Sequence, residues 1–167
     1  MWFEPVEPLV LQMDLNGVAR AVLTQALGQF DNSYQAECLT RYPGRFASVV
    51  GIDAGDPNAP GQIAIAAADG AVGVRLRPDA RSSGDDPLAL WRAVADHGLV
   101  VSCAGATAAN LSPDFHSLLT AFPKTIFVLE HLGGWTRADC DRSPAAREGI
   151  LELAVHDNVF LKVPALG

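Results

Sequence analysis

The chain has 167 residues, of which 49% are apolar and 19% are charged, as expected for one globular domain with its own core. Its net charge of −7 argues against binding to nucleic acid or to an anionic membrane surface, because both are negatively charged. The cysteines form no CxxC pair, which predicts reduced thiols in a cytoplasmic protein. Neither a signal peptide nor an apolar run of about 18 residues is found.

Helical and strand-like segments alternate along the chain with a period of roughly 25–35 residues. A first helix is predicted before Gly17, and a second over residues 32–42. Strands are predicted near residues 19–26, 46–53, 71–77, 99–104, 125–131 and 159–163. The helix after the second strand begins near Pro60, and three later helices begin at a capping residue followed by proline, namely Asp86-Pro87, Ser112-Pro113 and Ser143-Pro144.

Repeated strand–helix–strand units predict an α/β fold with parallel strands. Two architectures fit this pattern, a doubly wound open sheet and a barrel in which the strands pair in sequence order. The sequence contains no GxGxxG or GxxxxGK[ST] motif after the first strand, which argues against a dinucleotide-binding or P-loop domain.

In either architecture, functional side chains collect at the carboxyl ends of the strands. Those ends carry polar or reactive residues, namely Gln25, Asp53, Arg75, Arg77, Cys103 and His131. A purely structural sheet does not need this asymmetry between the two ends of its strands.

His131 differs from the other histidines because it ends an apolar strand and is followed by Leu-Gly-Gly. Imidazole is the common general acid or base and a common metal ligand, so His131 is the candidate catalytic residue. The alternative is a structural histidine bonded to a loop carbonyl. Alternation along the strand predicts that His131 faces the interior with Leu129 and Phe127, leaving Glu130 toward the helices.

Arg75 and Arg77 alternate with apolar residues and therefore lie on one face of their strand. A buried guanidinium needs an anionic partner. That partner is either an anionic group of a substrate or a carboxylate of this chain, from Asp53 or Glu130.

Five segments resemble proteins of the amidohydrolase-related (amidohydrolase 2) family, in order, over about residues 9–167. They are FDNSY at 30–34, YPGRF at 42–46, GVRL at 73–76, TIFVLEHLGG at 125–134 and NVFLKV at 158–163. The first of them resembles the lactonase-like branch in particular.

The resemblance implies a (β/α)₈ barrel with hydrolytic chemistry at its carboxyl face, an HxH pair on strand 1, an Asp on strand 8 and a His on strand 6. His131 matches the strand 6 position. The chain shows neither the HxH pair nor the strand 8 Asp, and Cys103 stands where metal-dependent members have a strand 5 His. Residues 1–167 are therefore expected to form one partial TIM-type barrel domain of about six strand–helix units, lacking strands 1 and 8.

The resemblance thus predicts a hydrolase acting on a carboxylate-bearing lactone or a related ester or amide. His131 would be catalytic, and the substrate-binding residues would be Arg75, Arg77, Gln25 and Cys103. No cofactor is expected in this chain alone, although a full-length parent would have room for a divalent metal such as zinc.

Two alternatives stay open, a metal-dependent decarboxylase of the same superfamily and a non-catalytic truncated remnant that only binds a ligand or a partner. The expected partner is a small-molecule substrate, and a homo-oligomer is compatible with the two exposed edge strands of an open barrel.

Overall fold

The computed structural model describes residues 5–134 and 144–163, and these residues contain one sheet of six parallel strands. The strands are β1 (Ala21–Thr24), β2 (Phe46–Gly51), β3 (Gly73–Leu76), β4 (Val100–Cys103), β5 (Phe127–Leu129) and β6 (Val159–Leu161). Each pairs with the next strand along the chain, in the order β1-β2-β3-β4-β5-β6. This order confirms the barrel type, since a doubly wound sheet would reverse its strand order at a switch point.

Helices alternate with the strands and complete a half-barrel. They are α1 (Val6–Leu15), α2 (Ser33–Arg41), α3 (Ala59–Ala68), α4 (Ala89–Asp96), α5 (Thr107–Asn110), α6 (Pro113–Ala121) and α7 (Pro144–Glu152), the last followed by a 3₁₀ turn over Leu153–Val155. The short helix α5 was not predicted from the sequence. Within the described ranges, no helix is long and apolar enough to cross a membrane.

The predicted capping pairs differ in outcome. Ser112 caps α6 as predicted, because its Oγ accepts a hydrogen bond from the Phe115 amide at 3.2 Å. The Asp86 carboxylate instead accepts from the Leu88 amide in a turn, and α4 begins after that turn at Ala89. Ser143 lies outside the described residues.

The core lies between the sheet and the helices. Trp91 of α4, Phe115 of α6 and Phe127 of β5 are almost fully buried there. The ring centre of Phe127 lies 6.0 Å from that of Trp91 and 5.9 Å from that of Phe115. The strand residues that join these helical side chains in the core are alternate ones, namely Val50, Ile52, Val74, Leu76, Val101, Cys103, Phe127 and Leu129. The intervening residues therefore form the inner face of the half-barrel.

The aromatic cluster predicts a large difference between two phenylalanines of the sheet. Phe127→Ala should lower the free energy of unfolding by about 3–5 kcal/mol, because it leaves a cavity between α4 and α6. Phe160→Ala, in β6, is the matched control, since Phe160 is 53% exposed and its loss should cost no more than about 1 kcal/mol. Urea denaturation measures both values, and equal losses would contradict a core on the helical side of the sheet.

Candidate active site

A charged cluster lies on the inner face of the half-barrel, with one residue from each of four neighbouring strands. Arg75 belongs to β3 and Ser102 to β4, while Glu130 directly follows β5 and Lys162 directly follows β6. The register pairs Arg75 with Ser102 and sets the ends of β5 and β6 side by side. We call these four residues the inner-face cluster.

Glu130 is the centre of the inner-face cluster and is only 2% exposed. Its Oε1 accepts a hydrogen bond from Ser102 Oγ at 2.7 Å, and its Oε2 accepts one from Arg75 Nη2. Lys162 Nζ lies 3.8 Å from Oε1. Burial alone would raise the pKa of Glu130, but the Ser102 and Arg75 hydrogen bonds and the two nearby cations hold this pKa below its ordinary value. Glu130 is therefore an ionised buried carboxylate.

Arg75 is fixed at two of its nitrogens by this chain. Nη2 donates to Glu130, and Nη1 donates to the backbone carbonyl of Gln25 at 2.8 Å. The side chain is 17% exposed, and its Nε is buried without a partner among the described residues. Of the two alternatives that the sequence left open, the ion pair with Glu130 is present.

His131 opens a left-handed turn of four residues at the end of β5. Its φ is 50°, that of Leu132 is 56°, and Gly133 and Gly134 continue in the same region. A left-handed conformation costs roughly 1–2 kcal/mol for each residue with a Cβ atom. Such a cost persists only where the surrounding structure enforces it, and it is found most often at functional sites.

Two hydrogen bonds and one steric constraint hold this left-handed turn in place. The Leu132 amide donates to the carbonyl of Lys162 at 3.0 Å, and the fully buried Asn110 donates through Nδ2 to the carbonyl of Gly133 at 2.9 Å. At Gly134, a Cβ atom would collide with the carbonyl of Gly105, so only glycine fits. The turn thus places an exposed His131 at the carboxyl edge, between the ends of β5 and β6.

The predicted orientation of the residues around His131 is wrong. Phe127 and Leu129 pack toward the helices, and Glu130 faces the inner side. Alternation identifies which residues share a face, but both faces of this strand carry apolar residues, so it does not say which face is inside. The left-handed turn also removes His131 from the alternation of β5.

The other predicted site residues lie in different surroundings. Arg77 pairs with Asp79, at 2.9 Å between Nε and Oδ1, and both side chains are more than half exposed. The Gln25 side chain donates to the carbonyl of Asp31 at 2.6 Å, so only its backbone joins the inner-face cluster. Cys103 is fully buried in the helix-facing core, where burial raises the pKa of its thiol far above the usual range.

A cleft of about 360 Å³ lies beside the inner-face cluster, at the ends of β1, β2 and β3. Arg75 and Arg77 line it together with Asp53 and Asp79. Two cations and two carboxylates therefore face the same space. This mixture suits a polar substrate of limited size.

Sequence reasoning missed Ser102 and Lys162 and assigned Glu130 to the opposite face. Alternation offered a signal for Ser102, because it lies on the face of β4 opposite to Val101 and Cys103. Lys162 lies within the NVFLKV segment that resembles the family, but no role was predicted for it.

The residues present do not fit a zinc site. Residues 5–134 and 144–163 contain no group of three or more His, Cys, Asp or Glu side chains that could hold a metal ion. Zinc needs three or four such ligands around one point, and Cys103 is enclosed in the helix-facing core.

The ionised Glu130 predicts a pH-dependent contribution to stability. Glu130→Gln should lower the free energy of unfolding by about 2–4 kcal/mol at neutral pH, because it leaves Arg75 without its counter-charge. Since the folded pKa of Glu130 lies below the ordinary value of 4.5, the stabilisation is complete above that value and is lost as the pH falls through the folded pKa. The difference between wild type and variant should therefore shrink in urea titrations below pH 4.5.

Asp79→Asn is the matched control for this ion pair, because it breaks the exposed pair with Arg77. Its cost should stay below about 1 kcal/mol. A Glu130→Gln variant as stable as Asp79→Asn would contradict the central position of Glu130.

The same geometry gives a prediction for metal content. After washing with a chelator, the purified chain should retain well under one zinc ion per molecule, because too few of the ligands that zinc prefers converge. Elemental analysis measures this content. One tightly retained zinc ion per chain would show that a further ligand set exists.

Solved structures share this architecture. The chain superposes with a TM-score of 0.76 and 17% identity on a protein of Acinetobacter baumannii designated a 2-pyrone-4,6-dicarboxylic acid hydrolase, with citric acid bound, over 98% of this chain and 62% of that one. An amidohydrolase of Burkholderia multivorans with bound zinc gives 0.71 and 23% identity, over 96% and 58%. A 2,6-dihydroxybenzoate decarboxylase from Rhizobium gives 0.71 and 13% identity, over 95% and 69%.

These identities establish the fold alone. The chain spans about three fifths of the length of the first two structures. No protein with a curated description matches the chain. The model of the amidohydrolase family, in contrast, matches residues 1–167, the whole of the sequence. This chain therefore belongs to the amidohydrolase family.

Proposed function

We propose that this chain provides the catalytic face of a hydrolase that opens a carboxylate-bearing lactone or cleaves a related ester or amide. The observation that carries the proposal is His131, which is held in a strained left-handed turn at the carboxyl edge and directly follows Glu130 of the ionised Glu130–Arg75 pair. Strain of this kind is maintained at the expense of stability, which is understandable where it fixes a reacting group.

The chemistry requires one group that moves a proton. Water attacks the carbonyl carbon of the substrate, and the His131 imidazole accepts the proton that water loses. The bond between that carbon and the leaving oxygen or nitrogen then breaks, and the imidazole returns the proton to the leaving atom. For a lactone, the product is the ring-opened hydroxy acid or its keto form.

Positive charge at the carboxyl edge supplies the binding part of the proposal. The cleft is lined by Arg75 and Arg77, whose charge favours a substrate that carries a carboxylate. The first structural neighbour, from Acinetobacter baumannii, is named as a hydrolase of a dicarboxylic acid. A substrate of that class would fit a cleft that has cations in its wall.

Decarboxylation is the second candidate reaction, because one of the structural neighbours is a decarboxylase. The two reactions differ in their products, since hydrolysis consumes water and releases no gas. Incubation with 2-pyrone-4,6-dicarboxylic acid and with 2,6-dihydroxybenzoic acid separates them by ring opening or by release of carbon dioxide. Binding of either compound without turnover would favour the non-catalytic remnant.

His131→Ala should lower the turnover of 2-pyrone-4,6-dicarboxylic acid by about 10²–10⁴-fold, the usual contribution of a positioned general acid or base. The loss of absorbance of the pyrone ring measures this rate. His116→Ala is the matched control, because His116 lies on α6, outside the inner-face cluster, and its turnover should equal that of wild type. Wild-type turnover in His131→Ala would reduce His131 to a structural histidine.

A further inference from the structure

The inner-face cluster contains a cation that the proposed function does not use. We propose that Lys162, and not Arg75, makes the direct contact with a carboxylate of the substrate, and that the adjacent Phe160 contacts the substrate's ring. This inference rests on the proposed function, because it names the anion-binding residue of that same site. Lys162 would then determine specificity for ring compounds that carry a carboxylate.

The charges of the inner-face cluster do not cancel. Arg75 and Glu130 form a pair in which the carboxylate side chain is 1% exposed and the guanidinium side chain 17% exposed. Lys162 adds a second cation, so Arg75 and Lys162 share the single carboxylate of Glu130. An anionic group on the solvent side of Lys162 would therefore be attracted to its ammonium group.

Arg75 is directed toward groups of this chain and is poorly accessible to a ligand. Its Nη1 and Nη2 each donate one hydrogen bond, to Gln25 and Glu130, its Nε is enclosed, and its side chain is only 17% exposed. The guanidinium group of Arg75 therefore mainly neutralises Glu130 and is not well placed to bind a carboxylate of the substrate. Arg77 is likewise committed, since it donates from both Nε and Nη2 to the carboxylate of Asp79.

Lys162 has the accessibility that Arg75 lacks. Its side chain is 49% exposed, and its Nζ lies 3.8 Å from Glu130 Oε1, too far for a hydrogen bond. Glu130 therefore attracts the ammonium group without using its three donors. A substrate carboxylate on the solvent side of Nζ would accept a charge-assisted hydrogen bond from it.

Phe160 places an apolar surface next to this ammonium group. It lies two residues before Lys162 and on the same face of the sheet, because its neighbour Val159 packs toward the core and side chains alternate between the two faces. Phe160 pairs in register with Val128 of β5 and is 53% exposed. An exposed aromatic ring beside a cation fits a ligand that is itself a ring with a carboxylate.

The test uses isophthalate, a flat six-membered ring with two carboxylates in the 1,3 relation. The carboxylates at positions 4 and 6 of a 2-pyrone have the same relation, but isophthalate has no lactone bond to cleave. Isothermal titration calorimetry of the 167-residue chain measures its affinity without turnover. Lys162→Gln should weaken binding by about 10–100-fold, the usual worth of a hydrogen bond to a charged group.

Two further variants make the result specific. Lys162→Arg keeps the charge and should bind isophthalate within about threefold of wild type, a difference below 1 kcal/mol by the affinity relation. Lys124→Gln removes an exposed lysine before β5, outside the inner-face cluster, and should leave the affinity unchanged. Phe160→Leu should weaken isophthalate more than it weakens acetate, which has no ring.

Several outcomes would overturn the inference. They are wild-type affinity in Lys162→Gln, an equal loss in Lys124→Gln, and the absence of isophthalate binding by the wild-type chain at millimolar concentration. If circular dichroism shows that Lys162→Gln does not fold, the titrations of Lys162→Arg and Phe160→Leu decide. The site is refuted if Phe160→Leu keeps the wild-type preference for isophthalate over acetate.

The inference and the proposed function can fail separately. Loss of isophthalate binding in Lys162→Gln, together with full turnover in His131→Ala, would refute the hydrolytic role of His131 and leave the anion site. If His131→Ala loses turnover while Lys162→Gln keeps the wild-type kcat/KM, only the anion site is refuted.

Discussion

The carboxyl edge of this half-barrel depends on the compensation of one buried charge, the carboxylate of Glu130. An ionised carboxylate that is 2% exposed is stable only if hydrogen bonds and opposite charges replace the water it has lost. Ser102 and Arg75 supply these, and Lys162 adds a second positive charge nearby. Because the four residues come from four neighbouring strands, the need to compensate one charge fixes the relative positions of β3, β4, β5 and β6.

The same charge connects the stability of the fold with the chemistry at its edge. Glu130 is followed directly by His131, and its backbone carbonyl accepts hydrogen bonds from the amides of Gly133 and Gly134. The residue that anchors the cluster through its side chain thus begins the left-handed turn through its backbone. A substitution of Glu130 would therefore affect both the stability of the fold and the position of the candidate acid or base.

The inner face differs from the helical side in how tightly it is filled. The helical side holds a close aromatic cluster around Phe127, whereas the inner face leaves Ile126 and Phe160 partly open to solvent. Open apolar surface beside paired charges is a suitable environment for a small organic anion. The two faces of the sheet are therefore divided between stability and recognition.

The sequence by itself determined the number and the direction of the strands, and the family resemblance indicated their order. Apolar runs separated by helical segments favour parallel pairing, and Ser112-Pro113 marks a helix start because the serine hydroxyl accepts from the backbone amide three residues later. These are local properties, and the resemblance of five short segments was enough to indicate the family. The carboxyl-edge position of His131 followed from the same reasoning.

Only the tertiary structure decided which groups meet. Arg75 and Glu130 are separated by 55 residues, and nothing local distinguishes Glu130 from Asp53 as the partner. The packing of Phe127 between α4 and α6 decides which face of β5 points to the inside of the half-barrel. The sequence pattern could not decide this, because both faces of the strand carry apolar residues. The left-handed turn at His131 likewise depends on Asn110 and Lys162, because this conformation is unfavourable for residues with a Cβ atom and hydrogen bonds from elsewhere in the chain hold it.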